Sequence, residues 1–191
     1  MRVVLFCIIL SLMIVQYNTT FNTLPSSEPK ITEEPVTIVK EPLLPAIDYN
    51  EIMCMSYNIY HEARNESIQG QIAVGNVTLN RVASNKFPNT VCDVVYQAKH
   101  SKWWKETHNK KVPERNKCQF SWYCDGKSDA IKEEKIFNEI VELSSDLLLG
   151  KYLDNTSGAL WYHADYVKPD WANHYMKTKS IETHIFYVSY Q

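Results

Sequence analysis

Residues 60–82 read YHEARNESIQGQIAVGNVTLNRV. The latter part carries Ile68, Ile72, Gly75, Leu79 and Val82, a stripe at alternating four- and three-residue steps. That spacing predicts an amphipathic helix, and Ser67 stands where a capping side chain belongs. Upstream, Asn50 to Ala63 places Met53, Cys54, Tyr57, Ile59 and Tyr60 at helical spacing with few polar interruptions. This predicts a second helix, central and buried. Between the two lies Tyr60–Ser67, a string that packs acid, base and aromatic groups against apolar helices.

The chemistry expected of that string centres on Glu62. A carboxyl group at the end of a buried helix is desolvated, and desolvation raises its pKa. A carboxylic acid still protonated near neutral pH can give its proton to a glycosidic oxygen. The bland competitor is a helix-terminal ion pair of Glu62 or Glu66 with Arg64. Glu66 follows Glu62 by four residues, but Asn65 and Ser67 argue for a helix break between them. Glu66 is therefore read as a capping or orienting residue at the edge of the site, with direct substrate binding as the lesser alternative. His61-Glu62 does not extend to the zinc pattern HExxH, because position 65 is asparagine.

Further along, Lys86-Phe87-Pro88-Asn89 is a turn, and Thr90 can cap a short helix reaching Tyr96. Residues 99–117 read as a long irregular segment. Seven Lys and Arg there face only Glu106 and Glu114, a local net of +5, with Trp103 and Trp104 interleaved. Such a segment can attract an anionic polymer; a plain solvated loop is the alternative. Ser128 is expected to start a helix carrying Ile131, Ile136, Ile140, Leu143 and Leu147, and Gly150 to stop it. Ala159–His163 and Ile181–Tyr190 are aromatic, β-favouring stretches that predict partners in a small sheet. The fold class that follows is α+β: mainly helical, with a minor antiparallel sheet at the end.

Aromatic side chains are abundant, with five tryptophans and twelve tyrosines. Flat rings stack on the C–H faces of sugars. The string Cys118-Gln119-Phe120-Ser121-Trp122-Tyr123 adds an amide and a hydroxyl to its rings. Gln119, Phe120, Ser121 and Trp122, with Tyr162, are candidate cleft residues, Trp122 as the stacking platform. His163, His174 and His184 could form a metal cluster only if the fold gathers them. Cys54, Cys92, Cys118 and Cys124 allow three pairings, of which Cys118–Cys124, close neighbours across a bend, is favoured.

The chain has 191 residues and a net charge of −2. It lacks the strong basicity of a nucleic-acid binder and both GxxxxGK[ST] and GxGxxG. Residues 1–17 have one arginine before an apolar run, Val3 to Val15. The run is shorter than the roughly 20 residues of a membrane span and fits a secretory signal. No small-x-small cleavage site follows, so an uncleaved anchor competes with a signal peptide. Residues 18–47 hold five of the eight prolines and read as a semi-rigid spacer. The catalytic or binding domain is residues 48–191. Its expected location is periplasmic or extracellular, or anchored to the cytoplasmic membrane facing the wall.

Five blocks fall in order: residues 60–82, FPNTVCDVVYQ (87–97), CQFSWYCDG (118–126), ALWYHADYVKPDWA (159–172) and HIFY (184–187). Together they resemble the catalytic domain of the SleB/CwlJ family of cell wall hydrolases over roughly residues 50–190. The E-A-R-x-E-x-x-x-G-Q-x-A-V core with Q-F-S-W downstream is the specific part. The resemblance implies a lysozyme-like, transglycosylase-related fold acting on peptidoglycan, with Glu62 as catalytic acid/base. His61 and Asn65 stand where that family favours small residues, and His61 could tune Glu62. Residues 99–117 look like an insertion.

The expected activity is cleavage of the bond between N-acetylmuramic acid and N-acetylglucosamine by a single glutamate, as a lytic transglycosylase, or as a muramidase if water attacks. No metal or organic cofactor is required. The expected partner is the peptidoglycan glycan strand, met by a monomer, with residues 3–15 as a membrane tether if retained. Two other classes stand beside this reading. One is a zinc amidase using His163, His174 or His184; the other is a non-catalytic wall-binding module.

Overall fold

The computed structural model describes residues 48–190. The expected signal or anchor (1–17) and the spacer (18–47) lie outside the described residues. Among the described residues no helix is long and apolar enough to cross a membrane.

Helix α1 spans Tyr49–Ala63. Asp48 caps it, its side chain accepting from the Asn50 amide at 2.9 Å. Met55, Ile59, Tyr60 and Ala63 are all at most 2% exposed, which makes α1 the central helix that its pattern predicts. Helix α2, Ile68–Ala83, packs against it. Gly75 leaves room for side chains of two neighbouring helices: a Cβ there would lie 3.3 Å from Ile59 Cδ1 of α1 and 2.6 Å from Leu147 Cδ1 of the helix Glu134–Leu148. Ser67 occupies the N-cap position of α2 but does not cap it. Its hydroxyl donates instead to Glu182 Oε1 at 2.6 Å.

Helix α3, Val91–Val95, is capped by Thr90, whose hydroxyl accepts from the Asp93 amide at 3.1 Å. The Glu51 carboxylate accepts from the Val91 amide at 2.5 Å, and Cys54–Cys92 is a disulfide. Both tie α1 to the start of α3, where a carboxylate also meets the positive end of the helix dipole.

Residues 99–117 are not irregular. Strand β1 (Ala98–His100) and strand β2 (Pro113–Cys118) form an antiparallel hairpin around helix α4, Lys102–His108. Ser101 caps α4 and Asn109 closes it in the left-handed region at φ 51°. The strands are short and polar, so no alternation of apolar residues announces them. The second disulfide, Cys118–Cys124, is the favoured pair and leads from β2 into a 3₁₀ turn, Ser121–Cys124.

Helix α5 runs Glu134–Leu148, not from Ser128. The reason is Tyr60, whose hydroxyl accepts from the amides of Lys132 and Glu133 at 3.1 and 3.3 Å and pairs with the Glu133 carboxylate. That holds residues before Glu134 against α1 in a non-helical path. Phe137, Ile140, Leu143 and Leu147 are the buried face, and Gly150 follows the helix at φ 72°.

Strand β3 is Trp161–Ala164, β4 is Tyr175–Ile181 and β5 is His184–Ser189, with order β3-β5-β4, all antiparallel. The pairing of the two aromatic stretches is thus present in β3 and β5. Strand β4 has no counterpart in the sequence pattern; it is an edge strand with exposed Met176, Lys177 and Lys179, and a solvated edge leaves little apolar signal. Helix α2 serves two cores. Val74 faces the helices, whereas Ala73 and Val77 pack with Ala159 and Phe186 under the sheet. Five α-helices with two small antiparallel sheets make the domain mainly helical α+β.

Candidate active site

The ends of α1 and α2 converge on one side of β3. Glu62 lies in the last turn of α1, and Tyr162 at the middle of β3 donates its hydroxyl to Glu62 Oε2 at 3.0 Å. Arg81, in the last turn of α2, is 3% exposed. Its Nε donates to the Leu160 carbonyl at 2.8 Å, and its guanidinium lies 5.2 Å from the Phe87 ring centre and 4.9 Å from that of Phe120. Aromatic faces attract a buried cation in this way.

These groups form the floor of a cavity of about 260 Å³. Cys118, Gln119, Phe120 and Ser121 make one wall, and Trp161 and Trp171 the other. Glu62 is its only carboxylate. Burial pushes the Glu62 carboxyl above its usual range, and the Tyr162 hydrogen bond and the Arg81 charge offset only part of that. Burial also pulls Arg81 down to about 10, against the opposing influence of Tyr162 and Glu62. It therefore stays cationic at neutral pH. Tyr162 is held well above an ordinary phenol, by burial first and by the Glu62 charge second, and so remains a hydrogen-bond donor. The arrangement is a carboxyl whose protonated form is favoured by burial, steered by a neutral phenol and faced by a cation, in an aromatic-lined cleft.

Of the residues singled out in the sequence, the fold brings together Glu62, Gln119, Phe120, Ser121 and Tyr162. Two are placed elsewhere. Trp122 does not face the cleft: it is 9% exposed, its Nε1 donates to Asn58 Oδ1 at 3.1 Å, and its ring stacks on His61 at 4.6 Å. In a 3₁₀ turn successive side chains diverge by about a third of a circle, so an exposed Ser121 sends Trp122 inward. Glu66 is engaged with the β4–β5 turn, where its carboxylate accepts from the Thr183 hydroxyl at 2.5 Å. That contact anchors the start of α2 rather than lining the cavity. His61 stacks on Trp122 and makes no hydrogen bond to Glu62 among the described residues.

The sequence alone does not mark Arg81, Trp161 and Trp171 as site residues. Arg81 reads as an ordinary basic residue near a helix C-terminus, and the tryptophans are ambiguous until strand register is known. Both ring nitrogens of His163 are engaged, Nε2 with the Tyr187 hydroxyl at 2.9 Å and Nδ1 with the Ala164 carbonyl at 2.8 Å. Among the described residues no group of three or more His, Cys, Asp or Glu is placed to hold a metal ion.

The family described as Cell Wall Hydrolase matches residues 65–187. The match begins just after Glu62 and takes in every other cavity residue named above. A 48-residue stretch is 48% identical to the spore cortex-lytic enzyme of Bacillus cereus, covering 25% of this chain and 18% of that protein. A stretch of the same length is 42% identical to the spore cortex-lytic enzyme of Bacillus subtilis, covering 25% of this chain and 16% of that one. The chain thus spans less than a fifth of the length of these curated relatives. Its fold is similar to the catalytic domain of the germination-specific lytic transglycosylase SleB from Bacillus anthracis. The TM-score is 0.54 at 28% identity, over 75% of this chain and 98% of that one. With nearly two thirds of its length matched and the same mainly helical domain, the chain belongs to the cell wall hydrolase family.

Proposed function

We propose that this chain is a peptidoglycan-degrading glycosidase, a lytic transglycosylase in which Glu62 is the single acid/base. The observation that carries this is the lone carboxyl of the cavity, its pKa raised by burial, set with a phenol and a guanidinium. Tyr162 occupies Oε2, which leaves Oε1 to hold the proton. That proton goes to the glycosidic oxygen as the bond from C1 of N-acetylmuramic acid to O4 of N-acetylglucosamine breaks. The sugar left behind carries positive charge at C1, and the new Glu62 carboxylate is stabilised by Arg81 and Tyr162. Glu62 then takes the proton of the muramoyl 6-hydroxyl as its oxygen closes onto C1. A 1,6-anhydro sugar forms and Glu62 is again protonated, with no second carboxylate needed.

Trp161 and Trp171 offer stacking faces, and the exposed Gln119 and Ser121 offer hydrogen bonds to acetamido and hydroxyl groups. In the same reading residues 1–17 export the domain as a signal or anchor, and residues 18–47 space it from the membrane. Mass spectrometry of digested peptidoglycan tests the chemistry. Anhydro-muropeptides are expected. Reducing muropeptides would mean that water attacks instead, and free stem peptides would mean an amidase.

A further inference from the structure

Helix α4 and the two strands that carry it stand apart from both cores. No residue from Ala98 to Cys118 is buried, and neither Trp103 nor Trp104 belongs to a core cluster. Trp103 is 58% exposed. Its ring meets Trp104 at 4.9 Å and His108 at 5.0 Å, and Trp104 meets His108 at 4.6 Å. The three rings thus pack on one another at the end of a hairpin. Around them Lys102, Lys105, Lys110 and Lys111 are exposed and make no ion pair among the described residues. Glu106 is the one acid on the helix.

This surface differs in chemistry from the cleft, whose rings stand beside the amide of Gln119 and the hydroxyl of Ser121. Here the rings stand among ammonium groups. A dissolved polyanion answers the lysines and leaves Trp103 in water. A neutral bilayer answers the indole and leaves the charges unmatched. The headgroup layer of an anionic bilayer answers both: the indole lies at the boundary of hydrocarbon and water, and lysines beside it meet lipid phosphates.

We propose that α4 is a docking finger for an anionic lipid surface, with Trp103 entering the headgroup layer and the four lysines pairing with phosphates. The sequence carries the apolar run Val3 to Val15 ahead of the domain, so a bilayer is a surface this chain meets. Strand β2 ends at Cys118, where the cleft wall begins. A finger held on lipid therefore sets how far the cleft stands from the membrane and which layer of wall it reaches. The inference does not depend on which bond the cleft cuts.

The test uses the full chain with two kinds of vesicle, phosphatidylcholine alone and phosphatidylcholine with phosphatidylglycerol in equal parts. A retained N-terminal anchor holds the protein on both, so the readout is amide hydrogen exchange in Lys102–His108 rather than binding. Exchange there is expected to be about tenfold slower on the anionic vesicles. Trp103→Ser should remove most of that slowing, and replacing the four lysines by glutamate should remove all of it. Cleavage of a short glycan by the Trp103→Ser chain should be unchanged. Equal exchange on the two vesicles would overturn the proposal. So would slowing that survives Trp103→Ser, which would leave only a charge effect, or slowing on purified wall with none on vesicles, which would make the occupant a wall polymer.

Discussion

Tyr162 and Glu62 lie a hundred residues apart in the chain, yet the tyrosine hydroxyl donates to Glu62 Oε2 at 3.0 Å. This bond couples the end of α1 to the middle of β3 and fixes which carboxyl oxygen faces the cleft. It also opposes the effect of burial on Glu62.

Tyr162→Phe removes the bond and keeps the ring. The Glu62 pKa should rise further, so the alkaline limb of the pH–rate profile should move to higher pH. With the carboxyl no longer steered, kcat should fall, by about ten- to a hundredfold. A profile that does not move would place Tyr162 outside the proton path.

Glu62→Gln should reduce lytic activity by about a thousandfold or more while leaving the fold intact. It should also change how stability depends on pH. The folded pKa of Glu62 is raised above its ordinary value of 4.5. Wild-type stability is therefore favoured below that value and lost as pH rises through the folded pKa. The glutamine variant lacks this loss, so its Tm advantage should grow as pH rises above the ordinary carboxyl value and through the raised one. Thermal unfolding of both proteins across that range checks the sign.

Two tryptophans should separate cleanly. Trp122→Ala opens a hole between α1 and the 3₁₀ turn and leaves Asn58 Oδ1 unpaired, so it should cost about 3–5 kcal/mol of stability. Trp171→Ala takes a ring from the cleft wall, so it should raise KM several-fold with little change in Tm. Unfolding measured beside kinetics distinguishes them.

Helix α4 and the turn after it carry the exposed Lys102, Lys105, Lys110 and Lys111. Attraction between such charges and an anionic wall is screened over about 8 Å at physiological ionic strength. Binding to intact wall should therefore weaken steeply with salt. Reversing the four charges should mimic high salt and leave cleavage of a short, peptide-free glycan unchanged. Sedimentation of the protein with purified wall across a salt series reads the first effect.

The legible part of this molecule is the part governed by one helix at a time. The stripe from Ile68 to Val82 and the buried run before Ala63 needed only periodicity, and Glu62 stood out as a carboxyl between two apolar helices. The cleft itself is assembled from five separate segments, and its less obvious members depend on how those segments meet. Arg81 is distinctive only once Phe87 and Phe120 are stacked around it. Trp161 becomes a wall residue through the register of β3, and Trp122 leaves the wall because a 3₁₀ turn rotates it inward. The hairpin at residues 98–118 is silent in the sequence because its strands are short and charged.

The Cys118–Cys124 bridge encloses Gln119, Phe120 and Ser121, the whole of one cleft wall. That wall is closed covalently only where thiols are oxidised. In a reducing cytoplasm the loop carrying it would keep its full freedom, and so would the junction of α1 with α3 that Cys54–Cys92 secures. Compartment would then act as a maturation step. A newly made chain would travel with its cutting edge slack and become taut on reaching the space where the wall is.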